Sequence, residues 1–123
     1  ETTIRKPGAT VPAGGYSVLV RETDSSKNGG ISGGIPYQGV SLVNSPGSEF
    51  SPTLKRSNGT VVDRAHYGTP SEGASQQLDR REYLPSAKDG AKTNDDGANW
   101  CDGRTTYGQG DDGTPATHNL KCF

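Results

Sequence analysis

The 123-residue chain is poor in the residues that build a hydrophobic core. Only 28% of it is hydrophobic, methionine is absent, and there are one tryptophan and two phenylalanines. This content lies well below the average of globular domains, so little apolar surface is available to offset the entropy lost on folding. With 18 glycines and 8 prolines, the composition predicts one small, loop-rich β domain over residues 1–123.

Long hydrophobic runs and an excess of one charge are also missing. No stretch approaches the ~18 apolar residues of a membrane-spanning helix. The 13 Lys and Arg residues are balanced by 14 Asp and Glu, and they are scattered, which argues against nucleic-acid binding through a basic face. The chain shows no signal peptide and starts at Glu1 rather than Met, so we expect that an upstream segment was removed.

The two cysteines, Cys101 and Cys122, lie close to one end of the chain. An even number of cysteines in a small, core-poor chain predicts one disulfide and an oxidising compartment, at the cell surface or outside the cell. Such a bridge contributes roughly 3 kcal/mol in the loop-entropy model. The alternatives are two free thiols or half of a metal site, although the chain has no CxxC pair and His66 and His118 are far apart.

The first half of the chain predicts two strand regions. "YSVLV" at 16–20 is a strand whose nearly continuous apolar run allows both faces to be covered. Residues 24–34 are predicted to be a flexible loop, because their sequence gives no support for order. Residues 35–44 predict a short strand or strand pair in which Val40, Leu42 and Asn44 alternate with Ser41 and Val43, with Pro36 at an edge.

The strongest local signal is a β-hairpin centred on Asn58-Gly59. This dipeptide lies between 53–56 and 60–67, and a type I′ turn requires a positive φ at both positions, which Asn and Gly accept. Alternation then points Val61, Asp63, Ala65 and Tyr67 one way, and Val62, Arg64 and His66 the other.

The last third of the chain predicts few regular elements. Residues 74–84 favour either one turn of helix or a strand, and no helix is convincing. Residues 85–119 are predicted to be mostly turns around Trp100 and Tyr107. We interpret Trp100 as a core plug, since one indole supplies much of the buried area when aliphatic residues are scarce. Cys101 beside it would tether the C-terminal residues, with Phe123 packing nearby.

No catalytic site is predicted, and no cofactor. Asp63 and His66 are close in sequence, but strand alternation places them on opposite faces, so Asp63 is interpreted as structural. His118 has no carboxylate at a fixed spacing and is interpreted as a surface residue. No GxSxG motif or other context for a nucleophile is present.

Two weaker signals concern acidic loops and glycosylation. Asp95-Asp96, Asp111-Asp112 and Asp102 could supply oxygen ligands to calcium, but they lack the D-x-[DN]-x-[DN]-G spacing and its closing Glu, so no metal site is predicted. Asn58 begins an N-G-T acceptor sequence, so it is a candidate for glycosylation that depends on the organism.

The order of these pieces resembles the lamin tail domain. "VPAGGYSVLV", "VSLVNSPGSEFSPTLKRSNGTVVDRAHYG", "ASQQLDRR" and "NW…GQGDDGTPATHN" follow each other as the segments of its bacterial secreted members do. The resemblance covers roughly residues 11–119, and its matched positions include Gly59, Asp63 and Trp100. It implies an immunoglobulin-like β-sandwich that is extracellular and non-catalytic.

The sequence departs from that family at two places. The family opens with a segment of the type "ISEI…EyIEL.N…vdLsGW.l", which supplies strands not visible here, and its pattern does not require a cysteine in "THNLKCF". A sandwich without these strands would expose a sheet edge. We therefore predict a protein partner or self-association that donates strands, as in a surface filament or a pilus-like appendage.

Two other functions stay open at this point. The chain could be an accessory β-sandwich domain of a secreted nuclease or other hydrolase, since such domains often accompany these enzymes. It could also be a calcium- or carbohydrate-binding module. A free-standing enzyme is disfavoured, because no nucleophile, base and orienting group can be assembled from these spacings.

Overall fold

The computed structural model describes residue 4 and residues 10–42, 51–83 and 90–122, and strands dominate this part of the chain. The strands form four two-stranded sheets, β1-β2, β3-β4, β5-β6 and β7-β8. Their bounds are β1 Leu19–Val20, β2 Ile35–Pro36, β3 Thr53–Lys55, β4 Val61–Arg64, β5 Gln76–Leu78, β6 Trp100–Asp102, β7 Thr106–Tyr107 and β8 Asp111–Asp112. Helix is limited to α1 (Gly90–Thr93) and to 3₁₀ turns at Arg80–Glu82 and Gly97–Asn99. The all-β prediction is confirmed at this level, while the immunoglobulin-like sandwich stays a prediction.

The hairpin predicted around Asn58-Gly59 is confirmed, but its turn differs from the prediction. β3 and β4 pair antiparallel. A positive φ, +87°, is found at Gly59 but not at Asn58. The Gly59 N–H donates to the Arg56 carbonyl at 2.9 Å, and the Arg56 N–H donates to the Thr60 carbonyl at 2.8 Å. The connection is therefore a three-residue loop that ends in a left-handed glycine, rather than a two-residue type I′ turn.

An irregularity in the hairpin interrupts the predicted alternation. Leu54 is opposite Asp63, whereas Lys55 is opposite Val61, so the register shifts between Leu54 and Lys55. Val62 is the extra residue of this bulge, and a bulge breaks the strict in-out order of side chains. β4 also ends at Arg64, so the alternation predicted for His66 and Tyr67 has no strand to support it.

The strand predicted at 16–20 is shorter and less covered than expected. β1 begins at Leu19 and pairs parallel with β2. Val20 is buried, but Tyr16 and Leu19 are about half exposed. The prediction that both faces of this strand are covered is therefore wrong. Pro36 lies in β2, which is an edge strand of a two-stranded sheet, so the edge position predicted for it is confirmed. Residues 39–42 lie outside any strand, and Val43 and Asn44 lie outside the described residues.

The glycine-rich segment at 24–34 has a hydrogen-bonded turn structure that the sequence did not predict. The Asn28 amide nitrogen donates to the carbonyls of Glu22 and Ile31 at 2.8 and 2.9 Å, and its oxygen accepts from the Ile31 N–H at 2.9 Å. A Cβ atom on Gly108 would overlap the backbone of Gly29. One asparagine therefore closes the loop, and two glycines let it approach the C-terminal third.

The C-terminal third contains more strand than expected. β5 and β6 pair antiparallel, with Gln77 opposite Cys101 and Leu78 opposite Trp100. Both alternatives for residues 74–84 occur, since β5 is followed by the 3₁₀ turn Arg80–Glu82. The strand at Trp100–Asp102 is flanked by Gly- and Asp-rich turns, and its strand state depends on its pairing with β5.

The buried positions are unusual in their chemistry. Among the described residues, the buried apolar side chains are Val20 and Cys122, and the buried polar ones are Gln77 and Asp79. A polar group costs free energy on burial unless it is hydrogen-bonded. Half of the buried side chains in the described ranges are therefore polar, and their contribution to stability depends on their hydrogen bonds. No helix in the described part of the chain is long and apolar enough to cross a membrane.

We expect Gly59→Ala to lower the free energy of unfolding by about 1 kcal/mol, because alanine is strained at a positive φ. A Cβ at Gly59 would meet no atom within 4 Å, so the loss comes from the backbone alone. Urea denaturation measures it. Gly97→Ala is the matched control, because a Cβ there also meets no atom within 4 Å and Gly97 does not have a positive φ. Equal losses in both variants would contradict the explanation.

Candidate functional site

The predicted disulfide is confirmed and anchors the C-terminal residues to β6. Cys101 and Cys122 are bonded, with 5.7 Å between their Cα atoms. Cys122 is 1% exposed. The Arg80 N–H donates to the Leu120 carbonyl at 3.3 Å. We call residues 119–122, together with their contacts to β5 and to the 3₁₀ turn after it, the C-terminal latch.

The Asp79 carboxylate is the centre of the latch. Its side chain is 3% exposed. Its Oδ1 atom accepts from the Arg81 N–H at 2.9 Å and from Arg81 Nε at 3.0 Å. Its Oδ2 atom accepts from Arg81 Nη2 at 2.5 Å and from the Cys122 N–H at 3.1 Å. The Arg81 side chain holds the pKa of Asp79 far below its ordinary value, against the opposing effect of burial.

Two amide side chains complete the latch. Asn119 Nδ2 donates to the Leu78 carbonyl at 2.9 Å, and the Asn119 N–H donates to the Tyr83 hydroxyl at 2.7 Å. Gln77 Nε2 lies 3.5 Å from the Leu120 carbonyl and 3.7 Å from Cys101 Sγ. Burial raises the pKa of Tyr83. Every contact here fixes the chain, so this cluster is structural in its chemistry.

Trp100 is a half-buried anchor rather than a fully buried core plug. Its Nε1 atom donates to the Asn94 carbonyl at 3.0 Å. Its ring lies edge-on to Tyr67, with 6.4 Å between centroids. The Asn94 carbonyl also accepts from the His66 N–H at 2.9 Å. The indole therefore ties the turn at residues 94–96 to the chain that follows the hairpin. Phe123 lies outside the described residues.

Asp63 and His66 reach neighbouring residues of that same turn. Asp63 Oδ2 accepts from Asn94 Nδ2 at 2.7 Å. His66 Nδ1 lies 3.3 Å from Asp95 Oδ1, and both side chains are nearly half exposed. A His–Asp pair can orient a general base. Among the described residues, no contact brings a nucleophile to this pair, and Asp63 binds an amide, in keeping with a structural contact.

A second polar cluster surrounds Asp102. The Ser71 hydroxyl donates to Asp102 Oδ2, and the Ser71 N–H donates to Oδ1 at 3.2 Å. Gln76 Nε2 donates to the same Oδ1 atom at 2.5 Å. These hydrogen bonds lower the pKa of Asp102, and the bond from the Ser71 hydroxyl has the largest effect. The cluster fixes residues 69–76 against β6.

Next to this cluster is an open depression of about 620 Å³. We call it the acidic depression, since Glu72, Asp111 and Asp112 lie in its wall. The remaining lining residues are Pro70, Ser71, Gly73, Ala74, Ser75 and Tyr107. It is wide and open, which is a shape suited to a protein side chain or segment rather than to an enclosed small ligand.

The acidic residues considered for calcium have separate local contacts. Asp96 Oδ1 accepts from the Ala98 N–H at 2.9 Å at the start of a 3₁₀ turn, and Asp112 Oδ1 accepts from the Thr106 hydroxyl at 2.8 Å. Within the described ranges, no three His, Cys, Asp or Glu residues are grouped so that they could hold a metal ion. His118 is exposed, and so is Asn58 of the acceptor sequence.

Sequence reasoning missed four residues that join distant segments, namely Asp79, Gln77, Asn94 and Asn119. Each is a polar residue in a polar stretch, and each has partners far away in sequence. Only "LDRR" carried a local signal, because an Asp before a helical turn is a common N-cap. The Asp79 side chain does cap the 3₁₀ turn at Arg81 N–H.

Comparison of the chain with protein-family models, with curated proteins and with solved structures found no match.

We expect Asp79→Asn to lower the free energy of unfolding at neutral pH by about 2 kcal/mol, because an amide nitrogen cannot accept from the donors that converge there. A lowered folded-state pKa stabilises the fold above the ordinary Asp pKa of about 3.9, and this contribution is lost as pH falls toward the folded-state value. Asp79→Asn should therefore lose less stability than the wild type between pH 7 and pH 3 in urea denaturation.

Asp111→Asn, whose side chain is exposed, is the control and should keep the wild-type stability at pH 7. Parallel pH curves for Asp79→Asn and the wild type would contradict the assignment.

We expect Trp100→Ala to cost about 3 kcal/mol, near the low end for removal of a large aromatic side chain. The loss combines the ring contact with Tyr67 and the hydrogen bond to Asn94. Thermal unfolding followed by circular dichroism measures it. Tyr16→Ala, at a residue that is 49% exposed, is the control and should change the melting temperature little. An unchanged melting temperature for Trp100→Ala would contradict a stabilising role for the indole.

Proposed function

We propose that this chain is a non-catalytic structural domain that acts by protein–protein association, as a subunit of an extracellular or cell-surface assembly such as a filament. The observation that carries the proposal is the distribution of apolar side chains. In the described part of the chain, Val20 and Cys122 are buried, whereas eight large apolar side chains are exposed. These are Val11, Tyr16, Leu19, Leu42, Leu54, Val61, Val62 and Leu120. A chain with so few apolar residues has most to gain when another chain covers those it exposes.

The sheets give a second reason for association. Each sheet in the described ranges has two strands. The outer edge of β8 is bridged to Ala74, while the other strands have no second neighbouring strand in the described ranges. Open edges pair readily with strands of other chains, and strand addition is a common way for proteins to bind extended segments. The proposal therefore includes a partner, or a second copy, that supplies strands.

The location outside the cell is supported by the disulfide. Cys122 is buried and bonded to Cys101, and it lies in the C-terminal latch, where few apolar contacts are available. Structural disulfides persist in oxidising compartments. A fold that depends on this bond is best suited to the cell surface or to the medium.

The finer proposal for the fold is an immunoglobulin-like sandwich similar to the lamin tail domain. Two features support it. The hairpin β3-β4 lies within the segment at 53–67, and Trp100 lies at the aromatic position of the resemblance. In this proposal the two-stranded sheets become parts of larger sheets once a partner's strands are added.

Light scattering after size-exclusion chromatography, over a wide range of concentrations, tests the proposal. We expect species larger than the 12.9 kDa chain, and we expect the assembled fraction to rise with concentration. Leu54→Gln should reduce that fraction several-fold at a fixed concentration, because Leu54 is 63% exposed in the hairpin. Ser57→Gln, at an exposed polar position of the same hairpin, is the control and should assemble as the wild type does.

A compact monomer at every concentration would overturn the proposal. The accessory domain of a secreted hydrolase would then be the better interpretation, because such a domain closes its own fold. Equal effects of Leu54→Gln and Ser57→Gln on assembly would show that the hairpin is not part of the association surface.

A further inference from the structure

The hairpin β3-β4 combines apolar and basic side chains at exposed positions. Leu54, Val61 and Val62 are exposed by 63%, 42% and 48%. Lys55, Arg56 and Arg64 are exposed in the same hairpin. The one acidic residue of the segment at 53–64 is Asp63, whose carboxylate accepts from Asn94. The hairpin thus exposes apolar side chains together with the positive charges of Arg56 and Arg64.

The acidic depression has the opposite character. Glu72, Asp111 and Asp112 provide its charges, and Pro70, Ala74 and Tyr107 provide apolar surface. Among the described residues that line it there is no lysine or arginine. Arg104 lies near enough to Asp102 to lower the pKa of that carboxyl group, but it is not part of the wall. The depression is therefore complementary in charge to the hairpin of the same chain.

We propose that the hairpin of one copy of this chain docks in the acidic depression of the next copy, so that the copies join head to tail. This inference rests on the proposed function and names one of its contacts. The charge complementarity selects a second copy as the occupant, because the chain carries both matching surfaces. No hairpin residue lines the depression, so the two surfaces are separate. A contact between unlike surfaces is heterologous, and it repeats into a ring or an open filament.

The apolar side chains and the charges have different tasks in this contact. Covering Leu54 and Val62 against Pro70, Ala74 and Tyr107 supplies burial. The charges select the partner and speed the encounter, and like charges placed opposite each other cost several kcal/mol. Assembly should therefore weaken as salt is raised, because exposed charges are screened within about 8 Å at 0.15 M ionic strength.

Two charge-reversed variants of the full chain test the proposal. Arg56→Glu with Arg64→Glu alters the hairpin and leaves the depression intact. Glu72→Arg with Asp111→Arg alters the depression and leaves the hairpin intact. Each variant alone should need more than about tenfold higher concentration to assemble. An equimolar mixture should regain assembly, because the unaltered hairpin matches the unaltered depression, and the acidic hairpin of one variant matches the basic depression of the other.

Arg21→Glu with Lys27→Glu is the matched control for the hairpin variant, because it makes the same change in net charge at exposed positions outside the hairpin and the depression. This variant should assemble as the wild type does. Thermal unfolding followed by circular dichroism checks that every variant is folded. Light scattering gives the mass of each sample and of the mixture.

The outcomes separate this inference from the proposed function. If the wild type assembles and both reversed variants assemble equally well, the head-to-tail contact is wrong while the association proposal stands. If the hairpin variant is monomeric while the depression variant assembles as the wild type does, or if the mixture does not assemble, the hairpin contacts a surface other than the depression, and the inference is again wrong. If the wild type never assembles, both proposals fail.

Discussion

The rest of this structure depends on the hydrogen bonds to one buried carboxylate. Asp79 receives two backbone N–H groups and the Arg81 guanidinium. One of those N–H groups belongs to Cys122, and the Cys122 sulfur is bonded to Cys101 on β6. A chain with so little apolar surface cannot hold its C-terminal residues by burial alone. The carboxylate and the disulfide together attach the C-terminal residues to the rest of the chain, a task that a hydrophobic core performs in most globular proteins.

This way of building a fold has a consequence for the surface. Polar contacts need precise geometry but few atoms, so they fix the chain without covering its apolar side chains. Leu54, Val61 and Val62 are left exposed around a hairpin that is held by its turn and by Asp63. A surface of this kind gains free energy when another chain covers it. The polar interior and the proposed association therefore have one cause, which is the scarcity of apolar residues.

Electrostatics could make that association specific. Net charge is only −1, and the sequence shows the charges as scattered. Arg56 and Arg64 lie exposed in one hairpin, and folding brings Glu72, Asp111 and Asp112 together around the depression. A chain that looks neutral in sequence thus acquires two surfaces of opposite sign. The acidic surface combines Glu72 with Asp111 and Asp112 from a distant part of the sequence, so no single window of the sequence reveals it.

Local features were predictable from the sequence. The Asn58-Gly59 dipeptide specified a hairpin, because glycine accepts the positive φ that its turn requires. The cysteine count favoured the disulfide over free thiols or half of a metal site, and two cysteines in one small chain allow a single intramolecular pairing. The strand-rich class followed from short apolar runs bounded by glycine and proline.

What depended on contacts between distant segments was decided only by the tertiary structure. The strand at Trp100–Asp102 exists because β5 pairs with it, and the bulge at Val62 changed the predicted alternation. Asp79, Asn94 and Asn119 gained their importance from partners that no local pattern specifies. The physical reason is that a hydrogen bond between distant residues leaves no periodic signal in the sequence. Apolar burial does leave one, and this protein has little of it.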